Sequence, residues 1–206
     1  MIFTLTPAVR AVLLANLLVF FAAWLLGADA FAPLELWPVG QDAGYAGLPF
    51  MPWQLASYGF LHFEFWHLFT NMLGLLVFGP SVERLLGTRR FYVYYFACVI
   101  GAGLSQLLVG ATIARAPAAT VGASGGIFGV LLCYAMHWPR QRILLLFPPI
   151  PMPAWLFVTG YGLFELYEGV FGRNEGVAHF AHLGGMAAGF VLLQAWRALD
   201  RRRGFS

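Results

Sequence analysis

Residues 116–139 read APAATVGASGGIFGVLLCYAMHWP, twenty-four positions without a charge between Arg115 and Arg140. A helix of that length crosses about 30 Å of hydrocarbon. Within it, Gly122, Ala123, Ser124, Gly125 and Gly126 set a hydroxyl among residues that contribute little apolar surface. Outward from this run, charges divide the chain into similar uncharged stretches at 11–28, 65–82, 91–114, 143–164 and 176–196. With 60% hydrophobic and 10% charged residues and a mean hydropathy of +0.74, the 206-residue chain lies outside the range of soluble domains. A closed β-barrel alternates with period two in segments of about ten residues, and these runs do not alternate. The expected fold is an all-α membrane protein, a six-transmembrane-helix bundle. It forms a single domain over 1–206, with spans near 11–28, 65–82, 91–110, 122–138, 154–171 and 179–196.

Basic residues set the expected orientation. All twelve are arginine, and ten of them, at 10, 84, 89, 90, 140, 142, 197 and 201–203, fall on one side of the six spans. Arg115 and Arg173 fall on the other, with Asp29, Glu35, Asp42 and Glu64 in a long loop that has no basic residue. The positive-inside rule then makes both termini cytoplasmic. The net charge of +3 reflects topology and gives no case for nucleic acid. Arg10 runs directly into the first span without a small-residue cleavage site, so that span is expected to be retained. Cys98 and Cys133 lie in apolar runs and read as small buried hydrophobes. The 29–64 loop, rich in Pro, Gly, Trp and Phe, is expected at the membrane interface.

This topology sends the second, fourth and sixth spans from outside to inside, so their first residues share a side. His67 and Asn71 open span two, Ser124 lies nine residues after Arg115, and His182 lies seven after Glu175. Nine helical residues would carry Ser124 about 13 Å below Arg115, a recessed site that water must reach. Irregular backbone is tolerated at such depth where it lines a wet cavity, which suits Gly122, Gly125 and Gly126. A serine hydroxyl becomes a nucleophile when a positioned imidazole takes its proton, and Ser124 with His182 supplies that pair.

Each residue also has a packing reading. Gly122 with Gly126, or Gly125 with Gly129, forms a small-xxx-small contact, as do Gly185 and Gly189 after His182. His67 and Asn71, four apart on one helix face, can each bond a neighbouring helix. His179, His182 and His67 have the chemistry of a three-histidine zinc site, but that reading leaves Ser124 and Asn71 unexplained. His62 is expected at the interface and His137 at the cytoplasmic rim, neither reaching the outer cluster. Glu165 and Glu168 on span five mark an ion pathway or face the cavity or interface, and no acidic residue is evidently placed to act as base or to orient a ligand in a zinc site.

Gly122-Ala123-Ser124-Gly125 followed by Gly129, the His67–Asn71 pair, His182 with Gly185 and Gly189, and Gly79-Pro80 with Glu83-Arg84-Leu85-Leu86-Gly87 closing span two together resemble the motif set of the rhomboid intramembrane serine proteases. The likeness runs from roughly Pro52 to Leu193. It implies a Ser–His dyad without a third acidic member and without metal or cofactor, cleaving membrane-anchored proteins in or near a labile transmembrane helix. Ser124 would be the nucleophile and His182 the general base, then acid. His67, Asn71 and the Ser124 backbone amide would form the oxyanion hole, and Phe128 would pack on the imidazole. Movement of span five and of the following loop, with Gly172 and Gly176, would admit substrate. A non-catalytic protein that binds transmembrane segments and a transporter stand as alternatives, though no inverted repeat supports the latter. The expected location is a bacterial cytoplasmic membrane with the site toward the outer leaflet.

Overall fold

The computed structural model describes residues 5–39, 48–112, 119–144, 149–172 and 179–202. Asp42, Arg115, Arg173, Glu175, Gly176 and Arg203 lie outside the described residues, so both arginines expected on the outer side do as well.

Helix α1 (Pro7–Leu26) begins four residues before its charge-free stretch, with Pro7 in the first turn, where a missing N–H costs nothing. Its amides find an acceptor far along the chain. Ala8 N donates to Glu83 Oε1 and Val9 N to Glu83 Oε2, each at 2.9 Å, and the Thr88 hydroxyl also donates to Oε1 at 2.8 Å. After a 3-10 segment, Ala28–Leu34, the chain reaches the single-turn α2 (Gln54–Ser57) and a second 3-10 turn, Tyr58–Phe60. This loop is no mere interfacial cover. Leu36, Gln54, Tyr58, Leu61 and His62 are all buried, and the Tyr58 hydroxyl donates to Val99 O at 2.7 Å.

Helices α3 (Phe65–Leu86) and α4 (Thr88–Thr112) turn about Gly87. Then come α5 (Ser124–His137), an antiparallel hairpin of β1 (Arg142–Leu144) and β2 (Pro151–Pro153), α6 (Ala154–Phe171) and α7 (His179–Arg202). The charge-free stretch 143–164 thus holds a hairpin and half a helix, which absence of charge alone does not separate.

Helix α7 is central, packing against α4, α5 and α6, while α3 joins α5 to α1. Among the described residues three helices, α1, α3 and α4, are long and apolar enough to cross a membrane. The other three depart from a plain apolar rod: α5 has 14 residues, α6 carries Glu165 and Glu168, and α7 is rich in glycine and ends in charges. At 1.5 Å per residue α5 is about 21 Å long, short of about 30 Å of hydrocarbon.

Candidate active site

Ser124 is the first residue of α5, and the segment before it is not helical. Leu36 and Thr120 exchange both backbone hydrogen bonds at 3.0 Å, Gly122 N donates to Tyr58 O at 2.9 Å, and Ala123 N donates to His62 Nε2 at 3.3 Å. These bonds fasten the approach to Ser124 onto the buried loop. The expected helical descent of nine residues from Arg115 is therefore corrected: residues 119–123 are not helical, and the helix begins only at Ser124. The first intrahelical bond in α5 runs from Ile127 N to Ala123 O. The amides of Ser124, Gly125 and Gly126 precede it, so they present N–H groups and the positive end of the helix dipole beside the hydroxyl.

Gly122 serves this corner in two ways. Its φ of +123° is unfavourable for any residue with a Cβ. A Cβ there would also stand 2.7 Å from His67 Nε2 and 3.8 Å from Ser124 Oγ, so the His67 ring and the Ser124 hydroxyl flank the glycine.

His182 arrives in the first turns of α7. Its Nε2 is 2.8 Å from Ser124 Oγ, and the two residues are 58 positions apart in sequence. Close backbone contact makes this possible. Gly185, three residues on, sits directly on the backbone of Gly125, while Gly129 fits against Cys98 and Gly189 against Tyr94 and Cys98. The small-residue reading therefore holds for these glycines, and the seam they form sets the spacing of Ser124 and His182. Phe128, one turn past Ser124, stacks on the His182 ring with centroids 4.3 Å apart and planes 7° from parallel. Tyr161 of α6 continues the stack at 4.9 Å from Phe128.

Asn71 is buried one turn from His67, and its Nδ2 donates to the His67 carbonyl at 2.8 Å, one of the two hydrogens an amide offers. Ser124, His182, Phe128 and His67 share one place; no described bond ties Asn71 to Ser124 or His182.

Three residues enter the site against expectation. His62, expected not to reach the cluster, is buried beside it. It receives the Ala123 amide, and its ring centroid lies 4.7 Å from that of His67. Glu165 faces neither interface nor open cavity: it is 2% exposed, and its Oε2 lies 2.7 Å from His179 Nδ1 and 2.9 Å from His182 Nδ1. The first contact has hydrogen-bond geometry. The second is as close as an ion pair but off the N–H axis, so His182 Nδ1 counts among buried atoms without an aligned partner. His179, weighed as a metal ligand beside His182 and His67, has its Nδ1 on Glu165. Among the described residues, His62 Nδ1, Asn71 Oδ1 and His179 Nε2 are also buried without an aligned partner.

Residues 49–198 match the family described as the Rhomboid domain. The chain belongs to the rhomboid family. Similar proteins include "Rhomboid protein 1, mitochondrial" of Saccharomyces cerevisiae, 35% identical over 70% of this chain and 42% of that protein. "RHOMBOID-like protein 12, mitochondrial" of Arabidopsis thaliana is 30% identical over 72% of this chain and 47% of its own length. "Rhomboid-type serine protease 2" of Emericella nidulans is 27% identical over 71% of this chain and 28% of its own. This rhomboid therefore spans less than half the length of these relatives. It is a membrane protein of a family that includes serine proteases. The relatives are eukaryotic, and two are mitochondrial by name, so the expected bacterial cytoplasmic membrane draws no support from them.

Proposed function

We propose that this rhomboid is an intramembrane serine endopeptidase in which Ser124 and His182 form the reacting pair. The contact of 2.8 Å between Ser124 Oγ and His182 Nε2 carries the reading. A hydroxyl and an imidazole from separate helices, at hydrogen-bond distance beside helix-terminal amides, are the parts that acyl transfer requires.

In the reaction, Ser124 Oγ attacks the scissile carbonyl as His182 Nε2 takes its proton. The tetrahedral oxyanion draws on the Ser124 amide, on His67 and on Asn71, donors set where negative charge develops. His182 then gives the proton to the leaving amine, and the amine departs. Water, deprotonated by the same imidazole, attacks the acyl-enzyme and frees Ser124. Phe128 limits rotation of the His182 ring through the stack. Gly122, Gly125, Gly129, Gly185 and Gly189 permit the approach of backbone and helices that brings the pair together.

Six helices cross the bilayer in one domain with both termini cytoplasmic, and the short α5 holds Ser124 below the opposite surface. The substrates are membrane-anchored proteins whose transmembrane helix unwinds locally, because a protease needs an extended strand and a helix in lipid hides its backbone. The test is labelling by a fluorophosphonate, with cleavage of a single-span reporter measured in parallel. Wild-type protein labels at Ser124 and cleaves, and Ser124→Ala and His182→Ala do neither while remaining folded. Cleavage by purified Ser124→Ala protein overturns the reading, and a folded wild type that neither labels nor cleaves favours a non-catalytic binder of transmembrane segments.

A further inference from the structure

A carboxylate inside a membrane protein is expensive unless it is paired, and Glu165 is 2% exposed in the middle of α6. Its close partners are imidazoles of α7: His179 Nδ1 at 2.7 Å and His182 Nδ1 at 2.9 Å, both from the same Oε2. His182 presents its other nitrogen, Nε2, to Ser124 Oγ at 2.8 Å. One carboxylate oxygen, an imidazole and a hydroxyl thus follow one another across three helices, α6, α7 and α5. A clamp between α6 and α7 would need only the His179 contact. It would not require the same oxygen to sit within ion-pair distance of the ring that faces Ser124.

We propose that Glu165 is a positioning residue that acts through His182, a third acidic member of the site, resting on the protease reading above. Its negative charge, 2.9 Å from Nδ1, favours the proton of the neutral His182 ring on that nitrogen and leaves Nε2 as the acceptor for the Ser124 hydroxyl. When Nε2 takes that proton, the ring becomes a cation 2.9 Å from the carboxylate, and the pair stabilises the charge that develops in the transition state. His179 fixes the carboxylate through its aligned bond. The arrangement follows the general logic of an acidic residue behind a catalytic histidine, reached here from a membrane helix.

The experiment uses the full chain in detergent and measures the wild type first. Wild-type labelling and cleavage establish the protease reading on their own; their absence sinks that reading and this one with it. Given an active wild type, Glu165→Gln preserves shape and loses charge. It is expected to lower both kcat and the rate of fluorophosphonate inactivation at least tenfold, with KM within about twofold and the unfolding temperature retained. A Glu165→Gln enzyme with wild-type kcat and inactivation rate overturns the proposal, and so does a loss confined to KM. Nitrogen NMR of 15N-histidine-labelled wild type supplies a readout that needs no substitution at Glu165, with the His182 signals assigned by their loss in His182→Ala. The expected neutral His182 ring carries its proton on Nδ1, and a ring protonated on Nε2 overturns the proposal even if Glu165→Gln fails to fold.

Discussion

Adding one methyl group at Gly185 tests whether the seam between α5 and α7 sets the chemistry. An ideal Cβ there would stand 2.8 Å from the carbonyl carbon of Gly125 and 3.0 Å from its Cα. Non-bonded carbons rest at about 3.5–4.0 Å, so α5 and α7 must part by roughly 0.7–1 Å. The obstacle is backbone, and no rotamer change relieves it. Ser124 immediately precedes Gly125 and His182 lies three residues before Gly185, so most of this separation passes to the Oγ–Nε2 contact of 2.8 Å. At about 3.5–3.8 Å the pair is beyond hydrogen-bond range. A misplacement of about 1 Å costs on the order of a hundredfold in rate, and overpacking costs about 1–3 kcal/mol of stability. Gly185→Ala is therefore expected to cut kcat about a hundredfold, slow fluorophosphonate labelling alike, and lower the unfolding temperature by roughly 2–4 °C per kcal/mol lost. The assay is cleavage of a single-span reporter in detergent beside thermal unfolding. Wild-type kcat in Gly185→Ala would refute the reasoning, because the two helices would then absorb a methyl group without moving the pair.

Asn71→Ala should lower kcat by about a hundred- to a thousandfold if its second amide hydrogen serves the oxyanion, with unfolding temperature retained; unchanged turnover in folded protein removes Asn71 from the site. His62, in the loop before α3, is pushed down to about 3 by burial and by neighbouring His67. Below its ordinary value of about 6.5 the unfolded chain binds a proton that the folded one refuses, so stability present above that pH is lost toward pH 3, at up to about 1.4 kcal/mol per unit. His62→Gln should flatten this acid dependence, and an identical slope in the variant would sink the assignment. For topology, reporters fused after Gly110 and after Ser206 should mark opposite faces of the membrane, the second cytoplasmic. An external tail inverts the proposed orientation.

Ser124 and His182 stood out because each lies among glycines near the same end of an apolar run, while the place of Phe128 on the imidazole came with the resemblance to the rhomboid motif set. Phe128 follows Ser124 by one turn, and the glycines mark where backbones meet. Most helices were legible from hydropathy, although the charge-free run 143–164 also took in the β1–β2 hairpin. Three features were not. The backbone leaves the helix at 119–123 through bonds to Leu36, Tyr58 and His62, partners 60 and more residues away that no local pattern names. His62 was not placed in the cluster because its acceptor role depends on the amide of Ala123, 61 residues away. Glu165 was visible as a carboxylate needing a partner, but α6 is apolar nearly all round, so its sequence does not say which face turns inward. Only the packing of α6 against α7 brings Glu165 to both histidines.

The carboxylate of Glu83 has a consequence for biosynthesis. Ala8 precedes it by 75 residues, and a ribosome adding about 5–20 residues per second needs roughly 4–15 s to make the intervening chain. For that interval α1 exists without the acceptor that its first amides will use. Until Glu83 arrives, those helix-terminal amides need water as their partner. Docking of the first helix through these bonds then waits on α3 and not on the helices that follow, and loss of Glu83 would leave the first amides of α1 without that acceptor.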